Sequence, residues 1–179
     1  VAFSLLMLAG LSQADAREPA CDGRPPPDVG DADLRLPPNA DAPTAVRAGM
    51  FVDDLRDLDA VTASFRFRGI LTITWCDPRL AFDAAAAGVD EKVLVGDAAG
   101  AEIDRIFFVR GFAVNNVEPP RITERVLRIA SDGTVSSDLN VSVLLRANYD
   151  LRRFPFDSQQ LQLQVESYLW NAGQLRFVP

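Results

Sequence analysis

The side chains in this 179-residue sequence that could do chemistry are carboxylates, arginines and a few aromatics, because histidine is wholly absent. That absence removes Ser-His-Asp and Cys-His catalysis and every imidazole metal site. Asp and Glu number 25 against 18 Lys and Arg, so carboxylate pairs of the kind that hydrolyse glycosides arise by chance. No spacing singles one pair out. There is no nucleophile elbow and no phosphate-binding P-loop, and Gly96 to Gly100 reads as a loop. The expectation is a protein that is not an enzyme, with no cofactor and no metal. Cys21 and Cys76 stand too far apart for CxxC or zinc spacing. Either they pair in an oxidising compartment or they remain two free thiols.

Two clusters stand out. Trp75-Cys76-Asp77-Pro78-Arg79-Leu80 places an aromatic, a carboxylate and a guanidinium together, a charge-assisted corner at the end of a strand. Taken alone it reads as a core tryptophan beside a surface ion pair. The second cluster runs from Tyr149 to Gln159, where Phe154 and Phe156 flank Pro155 and Asp157 follows. The proline stiffens an apolar tip, and Asp157 gives it a polar handle. Such a tip needs cover from a membrane or a partner.

The elements that position these residues are mostly strands. From Phe65 to Trp75 the odd positions are apolar or glycine and the even ones polar, with Ile70 the one exception, giving a strand of roughly 36 Å. Val141, Val143, Leu145 and Ala147 repeat the alternation, as do Leu161, Leu163 and Val165 against Gln162, Gln164 and Glu166. Asp132-Gly133 supplies a tight hairpin between Ile129 and Val135. Thr44–Leu55 and Ile106–Val114 are weaker strand candidates, and Ala84–Ala87 is one helical turn. The fold class is all-β, an immunoglobulin-like twisted antiparallel β-sandwich.

Ahead of the strands, Val1 to Leu11 and then Ala14-Asp15-Ala16 read as a secretory signal peptide over residues 1–16. The apolar run is about half the ~20 residues that cross a bilayer. Residues 17–43 hold seven prolines and form an extended leader, and 44–179 is the sandwich. A net charge of −7 argues against nucleic acid as a partner.

The W-x-D-x-R-L and F-P-F-D-x-Q motifs, in this order around an Asp-Gly hairpin, resemble the pentameric ligand-gated ion channel family, the Cys-loop receptors of animals. The likeness runs from about Thr44 to the C-terminus. The two cysteines that bracket the FPFD loop in animal receptors fall on Ala147 and Leu161 here, so the resemblance is to bacterial members, which lack that disulfide. TWCDPRLAFD looks like the proton-gated bacterial type, and the stretch after FPFD looks more like the amine-gated type.

The resemblance implies an exported domain on the periplasmic or extracellular face of a membrane, assembled as a homo-pentamer. It binds a small-molecule agonist (an amine, a carboxylate or a proton) between subunits. The last strands and the chain's own transmembrane domain would follow Pro179. Ligand-binding positions would be Tyr168 and Trp170 on one face and Ile70, Leu144 and Arg146 on the other. Two aromatics there could hold an ammonium at ~0.5–2 kcal/mol per cation–π contact, or could simply cap the core. Phe154, Pro155, Phe156 and Asp157, with Asp59 in the turn beside them, would relay binding to a pore. Trp75, Asp77 and Arg79 would be scaffold. Where the family carries Trp-x-Pro this chain has Phe108-Val109-Arg110. A secreted pentameric binding protein without a pore is the alternative, and the apolar tip argues against it.

Overall fold

The structure is a computed structural model that describes residues 3–5, 21, 33–39, 41–110, 115–150, 152 and 159–178. The alternating segment forms β3, Ser64–Cys76, and the hairpin after Asp132-Gly133 joins β5, Arg121–Ala130, to β6, Thr134–Arg146. Together with β2 (Thr44–Asp59), β4 (Glu91–Val95) and β8 (Leu175–Val178), these build a six-stranded sheet in the order β4-β5-β6-β3-β2-β8. All its pairings are antiparallel except β2 with β8. A second, parallel pair joins β1, Phe3–Leu5, to β7, Gln159–Leu161.

The alternation predicted for β3 holds residue by residue. Phe65, Phe67, Leu71, Ile73 and Trp75 are buried, while Arg66, Arg68, Ile70, Thr72 and Thr74 stay partly or fully exposed. β6 does the same with Val135, Leu139, Val141, Val143 and Leu145 turned inward. β3 and β6 pair at thirteen consecutive positions without a register shift. Their shared inward face packs against Leu161 and Leu163, against helix α2 (Asp97–Ile103) and against the segment Ile106 to Val109, giving one sandwich core.

Two glycines let backbones close up. Gly133 has φ +91°, and a Cβ there would sit 2.6 Å from the carbonyl oxygen of Asp77. Only glycine fits both the turn and that approach. A Cβ on Gly69 would lie 2.1 Å from the Phe51 oxygen, next to the register shift in β2 between Val52 and Asp54.

Several expectations are corrected. Ile106 to Arg110 is irregular rather than a strand, because Ile106, Phe107, Phe108 and Val109 are all buried in succession and leave no polar face to alternate. The rest of that candidate, residues 111–114, lies outside the described residues. Gly96 to Gly100 is not a loop: Asp97–Ile103 is helical, with Ala99 and Ile103 four apart on its buried face. The strand expected through Val165 ends at Leu161, though Leu161 and Leu163 still point inward. The helical turn Ala84–Ala87 (α1) is present, capped by Asp83, whose carboxylate accepts from the amides of Ala85 and Ala86. Of the two fates open to the cysteines the structure takes one, a Cys21–Cys76 disulfide.

Candidate functional site

The Trp75–Arg79 corner is a buried clasp. Trp75 stands edge-on to Phe107 and Phe108, with ring centroids 6.1 and 5.6 Å away. The ion pair beyond it is not on the surface: the side chains of Asp77 and Arg79 are 0% and 7% exposed. Asp77 accepts from the Arg79 amide at 3.2 Å, from Nε at 2.8 Å and from Nη2 at 2.7 Å. Nη2 also donates to the carbonyls of Leu34 (3.3 Å) and Leu36 (2.8 Å). With the Cys21–Cys76 bond, this ties the described part of the Pro-rich leader to the end of β3. The clasp positions; nothing about it presents reactive groups to solvent.

A groove of about 570 Å³ opens on the inward side of the sheet, with Tyr168 on its wall. Tyr168 and Trp170 do not act as a pair. Trp170 turns inward, its ring 5.4 Å from Phe107 and its Nε1 donating to the Phe108 carbonyl at 3.0 Å. Tyr168 turns outward and is 65% exposed. Its amide donates to the Arg110 carbonyl at 3.1 Å, so Phe108 to Arg110 and Tyr168 to Trp170 are fastened side by side. Apolar lining comes from Ile103, Val109, Ile122 and Leu139.

The groove's charges come from residues that sequence reasoning missed. Arg110 donates to Asp104 at 2.7 Å, and both line the groove. Arg125 pairs with Leu139 across the β5–β6 ladder and lines it too. Among the described residues it has no carboxylate partner. Arg125 lies in phase with Leu127 and Ile129, both buried, so a guanidinium sits in the core-facing row. That in-phase charge is the signal that could have marked it.

Ile70, Leu144 and Arg146 lie on the opposite, outward face. Ile70 is paired with Phe51 on one side and Asn140 on the other, and Phe51 is 65% exposed. Leu144 faces Arg66, whose guanidinium is held above its ordinary value first by Glu118 and then by Asp57, with both of which it pairs. Arg146 stands six residues along from the position facing Ile70, about 20 Å at ~3.3 Å per residue. Within one chain the structure therefore does not bring Ile70 and Arg146 together, nor either of them to Tyr168.

At that end of β3, Asp59 organises the β2–β3 turn by accepting from the amides of Val61 (2.8 Å) and Thr62 (3.2 Å). The Thr62 hydroxyl first, then these amides, hold its carboxyl below the ordinary carboxylate range. Ala147 donates to the Ala63 carbonyl at 2.8 Å, and the Tyr149 hydroxyl donates to the Ser64 carbonyl at 2.9 Å. Burial, with the Asp59 charge adding to it, pushes the Tyr149 phenol up. Phe154, Pro155, Phe156 and Asp157, the expected coupling tip, lie outside the described residues. No helix among the described residues is long and apolar enough to cross a membrane.

Comparison with known proteins places this architecture. Residues 31–179 match the neurotransmitter-gated ion-channel ligand binding domain family. A proton-gated ion channel of Gloeobacter violaceus is 35% identical over 130 residues, 72% of this chain and 34% of that protein. The γ-aminobutyric acid receptor subunit theta of Mus musculus is 29% identical over 143 residues, 76% of this chain and 21% of that protein. The chain thus spans about a third and a fifth of the lengths of these relatives. A β-sandwich with an Asp-Gly hairpin, a buried W-x-D-x-R clasp and a match over most of its length, the chain belongs to the neurotransmitter-gated ion-channel ligand binding domain family.

Proposed function

We propose that this chain is the agonist-binding domain, on the periplasmic or extracellular side, of a bacterial pentameric ligand-gated ion channel subunit. The observation that carries the proposal is the groove, where the Phe108–Arg110 and Tyr168–Trp170 segments are joined by two hydrogen bonds and Tyr168 is left outward. In a homo-pentamer the Tyr168 side of one copy would meet the Ile70 and Leu144 row of the next, with Arg146 at the end of that row. The exposed Phe51–Ile70 pair suits such a neighbour. Ala147 and Leu161 stand at the positions of the animal receptors' loop disulfide, and this chain's two cysteines are spent on a different bond.

The charges favour one agonist class. One relative is named for protons and the other for γ-aminobutyric acid. Here Asp104 is already neutralised by Arg110, and Arg125 adds a further positive charge. A carboxylate gains a charge-assisted partner in that setting, whereas an ammonium meets no uncompensated carboxylate. Asp59 is no sensor of mild acid, since its carboxyl is held low and stays ionised.

Coupling would run through the β2–β3 turn and Asp59 into the segment from Ala147 to Tyr149. From there it passes to Phe154, Pro155, Phe156 and Asp157, which would press on the membrane domain. A ligand opens such a channel only by its differential affinity for the open arrangement. The test is voltage clamp of the full-length protein under small carboxylates, amines and acid steps. Carboxylate-evoked current is expected. Tyr168→Ala should raise the half-maximal concentration about tenfold, equivalent to about 1.4 kcal/mol. Phe156→Ala should cut current while ligand binding persists. An unchanged dose-response in Tyr168→Ala, or equal loss of binding and current in Phe156→Ala, would sink the corresponding role.

A further inference from the structure

A second concavity, of about 520 Å³, lies away from the groove, between Arg146 and Asn148 on one side and Gln160, Gln162 and Gln164 on the other. Its volume falls within the roughly 300–1,000 Å³ usual for small-molecule sites. Its composition sets it apart. Among the described residues, carboxamides and one guanidinium form its polar lining, with no carboxylate and no aromatic side chain.

The chain's alternation builds this wall. Leu161 and Leu163 turn into the core, so Gln160, Gln162 and Gln164 fall in a row on the other side. Gln160 lies within β7, but Gln162 and Gln164 have no regular ladder to hold them, since β7 ends at Leu161. Asn115 takes over that job. Its Nδ2 donates to the carbonyls of Arg146 (3.1 Å) and Gln162 (2.7 Å), and its Oδ1 accepts from the Gln164 amide at 3.2 Å. The Arg146 amide in turn donates to the Asn115 carbonyl at 2.7 Å. One side chain thus fixes the spacing between the end of β6 and the glutamine row.

Asn115 is consumed by this work, but the others are not. Among the described residues, the Arg146 guanidinium and the carboxamides of Asn148, Gln160, Gln162 and Gln164 make no hydrogen bond or ion pair. They offer a forked donor that matches a carboxylate, and four groups that each both donate and accept. Hydroxyl groups are the ligand groups that match carboxamides in both senses. Among the described residues a cation finds no counter-charge, and an apolar ligand finds hardly more than Ala147.

We propose that this concavity is a binding site for a small polyhydroxylated carboxylate of the sugar-acid type, separate from the Tyr168 groove. A ligand there bridges Arg146 and Asn148 to Gln160 and Gln164, the two segments that flank residues 150–158. The test is titration calorimetry on the full-length protein with galacturonate, its neutral counterpart galactose and cationic glucosamine. Galacturonate should bind saturably, with galactose at least tenfold weaker and glucosamine silent. Arg146→Gln should weaken galacturonate about tenfold. Because Arg146 also ends the proposed agonist row, Gln164→Leu carries the discrimination: it should weaken galacturonate severalfold and leave carboxylate-evoked gating intact. Tyr168→Ala should leave galacturonate binding unchanged. The proposal is overturned by absence of saturable binding, by equal binding of galactose, by retained affinity in Gln164→Leu with native circular dichroism, or by loss of binding in Tyr168→Ala. The two sites therefore fail separately.

Discussion

Asp77→Ala is the perturbation whose size the structure determines best. The carboxylate is fully buried, and its partner Arg79 is 7% exposed, so solvent screens neither. Truncating Asp77 removes three hydrogen bonds and leaves a guanidinium buried against the carbonyls of Leu34 and Leu36. Breaking a buried pair from one side costs about 3–5 kcal/mol, since the surviving charge is uncompensated. For a domain of this size that corresponds to a fall in melting temperature of roughly 6–20 °C. The comparison variant is Asp53→Ala, which breaks the Arg68–Asp53 pair at 3.4 Å with both side chains more than half exposed. Surface pairs of that kind contribute about 0.2–1 kcal/mol. Thermal melts followed by circular dichroism read both variants, and limited proteolysis reads residues 33–39, which Arg79 helps to hold. A further variant, Asp77→Leu with Arg79→Met, removes both charges and should recover much of the loss. If Asp77→Ala melts no lower than Asp53→Ala, burial of the pair is not what holds the corner.

Two further predictions concern the ends of the sheet. The Cys21–Cys76 bond spans a sequence separation of 55, for which loop-closure entropy gives about 4 kcal/mol. Reduction, or Cys76→Ser, should lower the melting temperature, and the untreated protein should show no free thiol. A reactive thiol, or a melt indifferent to reductant, would refute the bond. At the other end, Tyr149 should ionise above the ordinary tyrosine value of about 10, because burial and then the Asp59 charge favour the neutral phenol. The folded state therefore keeps its proton after the unfolded chain has lost it. This contribution to stability is intact below the unfolded pKa and is lost as pH rises from there through the folded value. Absorbance titration at alkaline pH should show a late tyrosinate component that Tyr149→Phe removes and Asp59→Asn moves to lower pH. A late component that survives Tyr149→Phe belongs to another group.

How much of this was legible in the sequence follows from which interactions are local. The period-two pattern of β3 and β6 reports one buried face directly, and each inward residue was readable at its own position. The Asp-Gly turn was equally readable, since backbone conformation there is a property of the two residues themselves. Ile106 to Val109 misled because four successive apolar residues fit a strand or a buried crossing equally well, and only tertiary packing decides. The Gly96–Gly100 loop failed similarly: Gly100 lies mid-helix, where Ala99 and Ile103 docking on the core overrides its weak propensity. The clasp was visible as a motif but not as a buried pair, because its cover comes from Leu34 and Leu36, more than forty residues away. Tyr168 and Trp170 share a parity yet part company, since Trp170 finds the Phe108 carbonyl and Tyr168 finds none inward. The Asn115 network joins residues 31 to 49 positions apart, which no local pattern reports, whereas Arg125 carried its own signal as a charge in phase with Leu127 and Ile129.

The unbroken β3–β6 ladder also bears on how binding could reach a membrane. It puts Cys76 at one end and Ser64 at the other, roughly 40 Å apart at ~3.3 Å per residue. The Cys76 end is locked by a disulfide, a buried ion pair and a glycine hairpin that fits against Asp77. The Ser64 end is built differently. β2 shifts register twice as it approaches the turn, and Asp57 and Ala63 both take positive φ, a conformation that costs a non-glycine residue of order 1–3 kcal/mol. Its ion pairs, Arg66 with Asp57 and Glu118, are partly solvated. Segments with exposed bonds and few buried contacts are the ones that open at low free-energy cost. A ligand in the proposed Tyr168 site would touch Leu139 on β6 and Arg125 on the neighbouring β5, and it would not bend the long β3–β6 ladder at little cost. In the proposed pentamer it would instead tilt the sheet as a body against the next subunit. The compliant turn around Asp59, hydrogen-bonded through Ala63 and Ser64 to Ala147 and Tyr149, is where that tilt would be converted into local displacement.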